Sequence, residues 1–261
     1  LLSQFLRPAT SLVPFLPEGN ELDVALQPFV VLHQTSSLPA APWHDKLFIS
    51  QLQQAASKQP HFAFYGRYGT GRLLAALHVA QHQKRPLLQL DLTKLADTPH
   101  QLEDLIPLLV RDGRFHNALL YISGWDSILA DHHPPNTLFQ HLLDYPYTVF
   151  MAGEKEWQPR ARQQTMAAGT RRSILRVQFD LPSYYGRLQL WEHYLGQNIN
   201  INLHHLANQF RFTTGQIEDA VVTANDFAQW ANAPLAAEHL FAASRAHSNQ
   251  NLATLATKIK P

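Results

Sequence analysis

Five short runs of β-forming residues, each separated from the next by a helical pattern, constrain the fold of this chain most. They cover residues 61–65, 87–91, 118–122, 148–152 and 174–179. Helical periodicity fills the gaps over 72–83, 102–111 and 135–143, and a further helix is expected over 45–58. Near-continuous apolar strands alternating with helices read as βαβ units, whose strands run parallel and are covered on both faces. After Pro182 the strands stop. Residues 183–195, 203–210, 216–231 and 235–247 all read as amphipathic helices, with Leu188, Trp191 and Leu195 on one apolar stripe. The chain therefore divides into a helical lead-in and linker over 1–44, an α/β domain over 45–181 and an all-helical domain over 182–261. The missing initiator Met and the abrupt end at Pro261 predict a fragment of a longer protein.

Composition narrows the chemistry. There is no cysteine, which removes disulfides, thiol nucleophiles and cysteine metal sites. Net charge is +1, so no global field draws the chain to nucleic acid or to an anionic membrane. No apolar run is long enough to span a bilayer. The opening residues lack the basic flank and cleavage site of a signal peptide.

The stretch Gly66-Arg67-Tyr68-Gly69-Thr70-Gly71-Arg72-Leu73 carries the most chemistry. It lies between the first expected strand and the first long helix. A glycine turn at that place aims backbone N–H groups and a helix amino end at phosphate oxygens. Gly66 and Gly71 have the spacing of a phosphate loop, which continues glycine-lysine-serine or threonine. Arg72 stands in place of the lysine and keeps its charge in a bulkier, planar group. Leu73 stands in place of the hydroxyl that holds Mg²⁺, and leucine cannot ligate a metal.

The third strand points the same way. In phosphate-loop ATPases an acidic residue at its end holds Mg²⁺, and a following glutamate often places the attacking water. Here those places carry Ser123 and Gly124, with Asp126 two residues further on. Asp126 reads as a turn or capping residue, with a displaced metal contact as the alternative.

These residues resemble the AAA+ ATPase family over roughly 45–258. The similarity rests on the 66–73 loop, the strand 119–122 with Ser123-Gly124-Trp125-Asp126 after it, the strand 148–152, and Arg171-Arg172 before the fifth strand. It also rests on the 179–182 junction and on the helix bearing Arg187 and Trp191. More narrowly, 212–220 and 244–261 are similar to the lid and joint of bacterial proteins with two tandem AAA+ modules, whose first module is often degenerate. The resemblance implies a five-stranded parallel sheet in three layers, a helical lid, and cytoplasmic location. It implies ATP or ADP binding that is weak, with the Mg²⁺ site lost. It further implies a second AAA+ module in the same chain, a homo-oligomeric ring, usually a hexamer, and a protein client; the near-neutral charge and the lack of a spanning run argue against nucleic acid and membrane as partners. By the same resemblance Glu154 falls near the polar sensor of strand four, where the family prefers asparagine. Arg171 or Arg172 falls where an arginine reaches a neighbouring subunit's nucleotide, and Gln216 and Glu218 lie near the nucleotide face of the lid.

The function expected is a hydrolysis-inactive module that supports ring assembly and regulates an active ATPase module in a protein-remodelling machine. Two other readings use the same residues. In one, a divergent but active ATPase replaces the missing acids with Asp126 and Glu154 and the lysine with Arg72. In the other, a nucleic-acid-binding relative uses Arg160, Arg162, Arg171, Arg172 and Arg176. Fifteen histidines form no HExxH pattern. Trp125 and Trp157, at strand ends, read by default as locally packed, with a protein contact as the alternative.

Overall fold

The structure is a computed structural model and describes residues 22–37, 46–95, 101–159, 173–196 and 201–259. Its strands are β1 (Val30–His33), β2 (His61–Gly66), β3 (Leu87–Asp91), β4 (Leu119–Ser123), β5 (Val149–Gly153) and β6 (Ile174–Phe179). They form one sheet in the order β1-β3-β4-β5-β2-β6. The β3–β4, β4–β5 and β2–β5 pairs are parallel.

The expected five-stranded parallel sheet is thus corrected to six strands, because β1 pairs antiparallel with β3 at one edge. The described part of the expected helical lead-in is a turn followed by this strand. A buried charge network fixes it. The Asp23 N–H donates to Asp112 Oδ2 at 2.8 Å, and Arg111 bridges Asp23 at 2.5 Å and Asp112 at 3.1 Å.

Helices α1 (Lys46–Ala56), α2 (Arg72–His82), α3 (Gln101–Phe115) and α4 (Asn136–Leu143) intervene between strands. The strands alternate as a sheet covered on both faces should. Leu88, Leu90, Leu120, Ile122, Val149 and Met151 join one buried cluster with Trp125, Phe139 and Trp157. Phe62, Phe64 and Phe150 point the other way and pack ring on ring, with Phe62 and Phe150 centroids 5.3 Å apart. Trp125 and Trp157 are 0% and 1% exposed. Local packing therefore holds and the alternative of a protein contact does not; they fill the core, their rings 5.5 Å apart.

Helices α5 (Tyr184–Leu195), α6 (Leu203–Gln209), α7 (Thr214–Trp230) and α8 (Ala237–Ile259) follow without a strand among the described residues. Their apolar faces bury a separate cluster around Leu190, Trp191, Leu206, Phe212, Ile217 and Leu240. Ser183 caps α5 by accepting the Gly186 N–H. The half-turn before α5 is held by Arg187, which donates to the carbonyls of Pro182 and Ala207 at 2.7 and 3.0 Å. The chain separates into two compact units, one holding the sheet and the other the later helices. The loop Arg67–Gly71 groups with the helices. Among the described residues no helix is long and apolar enough to cross a membrane.

Candidate functional site

In open parallel sheets, ligands bind beyond the carboxyl ends of strands where the strand order reverses. Here that point is β2, flanked by β5 and β6, with β3 reached only by a crossover past β5 and β4. The chain leaves β2 at Gly66 and enters α2 at Arg72. The neighbouring carboxyl ends bring Asp91, Ser123 and Gly153 into line.

Arg72 opens α2 and is half-buried. Its Nη1 is buried and makes no hydrogen bond. Its positive charge reaches Tyr121, the β4 residue paired with Gln89 and Phe150. Burial pushes the Tyr121 phenol well above its ordinary range; Arg72 opposes that shift, and Asp91 adds to it. A free buried guanidinium nitrogen at this strand end fits a phosphate oxygen by charge.

The acidic places are filled otherwise. The Ser123 hydroxyl donates to the Leu90 carbonyl at 3.3 Å. Gly124 has φ +70°, and a Cβ there would lie 2.8 Å from Thr93 Cγ2 and 3.1 Å from Thr93 N. No carboxylate-bearing residue fits that place without moving the β3 end. Asp126 accepts from the Glu154 N–H and, at 3.0 Å, from the Lys155 N–H. A Cβ on Gly153 would meet the same carboxylate at 2.8 and 2.9 Å. Asp126 is therefore a clasp between the end of β4 and the end of β5, as a turn residue would be. Glu154 sits at that clasp with an exposed side chain. Asp91, which the sequence reading passed over, lies opposite Ser123 in the β3–β4 register and accepts from Thr93 N and Thr93 Oγ1 at 3.0 and 2.7 Å. An aspartate closing an apolar strand was the available signal.

These residues do not fit Mg²⁺. Leu73 offers no oxygen, Ser123 is turned onto a neighbouring strand, and Asp126 is engaged by two amides. Among the described residues no three His, Cys, Asp or Glu side chains gather as a metal cradle.

Within the loop, Gly69 and Gly71 take φ +74° and +87°, which glycine alone adopts without cost. Thr70 is buried, and its N–H and hydroxyl both donate to the Arg67 carbonyl, at 3.3 and 2.8 Å. Tyr68 is 61% exposed. The Gly69 carbonyl accepts the Gly215 N–H of α7 at 2.8 Å. Gln216 belongs to the capping box of α7 with Thr213, and Glu218 accepts from the Tyr194 hydroxyl at 3.3 Å. Arg160, Arg162, Arg171 and Arg172 lie outside the described residues. Arg176, on β6, pairs with Glu156 at 2.9 Å on the surface.

Residues 184–250 match the family described as contractile injection system ATPase helical domain. The match covers α5 to α7 and the first part of α8, and it ties the helical region to an ATPase-related family. No curated protein matches the chain.

Proposed function

We propose that this chain is an ATPase-type module without hydrolytic activity, working as a structural or regulatory part of a contractile injection system. One observation carries the proposal: Ser123, Gly124 and Asp126, at the strand end where such enzymes hold Mg²⁺ and water, are all engaged in holding the fold. Hydrolysis of a triphosphate needs charge neutralisation at the β and γ phosphates and an oriented water. Arg72 alone supplies part of the first and nothing of the second.

The similarity of residues 184–250 to the contractile injection system ATPase helical domain supports the ATPase-type reading; the place beside an active ATPase module, in a ring of identical subunits with a protein as client, rests on the resemblance to tandem AAA+ modules. Nucleotide, where it binds, is held without a metal. The test is equilibrium titration with ATP and ADP, with and without Mg²⁺. Weak binding, indifferent to Mg²⁺, is expected. Tight binding that requires Mg²⁺ would overturn the proposal.

A further inference from the structure

The amino end of a helix leaves its first N–H groups without partners inside the helix, and these are what an anion uses. At α7 most are taken. The Thr213 N–H donates to Gln216 Oε1 at 3.0 Å, and the Gln216 N–H to Thr213 Oγ1 at 3.2 Å, a complete capping box. Of the two N–H groups between them, the one on Gly215 goes to the Gly69 carbonyl at 2.8 Å. Loop 67–71 and α7 belong to the same compact unit.

The two segments approach too closely for a side chain at either glycine. A Cβ on Gly215 would lie 2.8 Å from Gly69 Cα. A Cβ on Gly69 would lie 2.5 Å from Thr213 Oγ1 and 3.0 Å from Gly215 Cα. Two glycines 146 positions apart (215 less 69) thus answer one steric demand. One turn further along α7, Asp219 and Glu218 raise the pKa of the Tyr68 phenol, together with burial. Their negative charge at the loop is of the sign that repels phosphate.

We propose that α7 holds the glycine loop shut, the Gly69 carbonyl taking the helix amide that an anion would otherwise use, so that the chain is its own ligand at this loop. This rests on reading the loop as a phosphate loop. The contact is autoinhibitory: a polyphosphate gains the loop only when Gly69 and Gly215 part.

Gly215→Ala tests it cleanly, because alanine is the better helix former and only the contact with Gly69 suffers. Two measurements are made on the full chain: amide exchange at Gly215 and over 67–71, and calorimetric titration with tripolyphosphate free of metal. In the native chain the Gly215 amide should exchange slowly. In Gly215→Ala the loop amides should exchange faster, and tripolyphosphate should bind about tenfold more tightly, the equivalent of one released contact. Unprotected exchange at Gly215 in the native chain would overturn the proposal, and that readout needs no variant to fold. So would a folded Gly215→Ala whose tripolyphosphate affinity equals that of the native chain. Hydrolysis of Mg·ATP by the native chain is a separate readout, and it would sink the inactive-module reading alone.

Discussion

At the scale of single residues, Ser123, Gly124 and Asp126 each hold part of the fold. Gly124 needs both its positive φ and the space beside Thr93. Gly124→Asp should therefore cost about 1–3 kcal/mol of stability from backbone strain, and urea denaturation will read it. An unchanged midpoint would show that the turn tolerates a side chain. Asp126 accepts two N–H groups at the end of β5. Asp126→Ala should cost about 2 kcal/mol by removing two hydrogen bonds to a charged group, again by denaturation. His116, beyond α3, has its pKa lowered by burial, with Asp112 opposing. Above about pH 6.5 the imidazole is neutral in both the folded and unfolded chain. Below that, the unfolded chain takes the proton first, so stability declines as pH falls until the folded imidazole also charges. Melting temperature followed from pH 8 to pH 5 should drop, and His116→Gln should flatten part of that drop; equal slopes would contradict it.

At the scale of elements, the strands with local pattern were legible and the strand without one was not. Residues 87–91 and 174–179 were expected as strands with the bounds observed, and the other three parallel strands were within one residue of theirs. Each is an apolar run bounded by polar or turn residues. β1 is only four residues long and alternates weakly, with Val30 buried and Val31 exposed. Its identity comes from pairing with β3 nearly sixty residues on, which no local window contains. Its anchor, the Asp23–Arg111–Asp112 network, is equally non-local. Arg111→Ala leaves two buried carboxylates facing each other and should cost about 3 kcal/mol. Amide exchange at Val30–His33 should rise with it, and unchanged protection there would show that β1 is held by the sheet alone. The site shows the same division. The glycine spacing and the residue types at Arg72, Leu73, Ser123 and Gly124 can be read along the chain. The reasons for them could not, since Thr93, Glu154 and Gly215 enter only through the fold.

At the scale of the whole molecule, two compact units carry separate cores, and the family similarity lies in the helical one. The strand order of the α/β unit is compatible with a phosphate-loop-like fold, and at its strand ends Ser123 and Asp126 are hydrogen-bonded within that fold. Phosphate release from ATP in the presence of Mg²⁺, measured on the purified chain beside Asp126→Ala, bears most directly on this. The expected result is no release above the uncatalysed background in either protein. Mg²⁺-dependent release by the native chain that disappears in Asp126→Ala would contradict it.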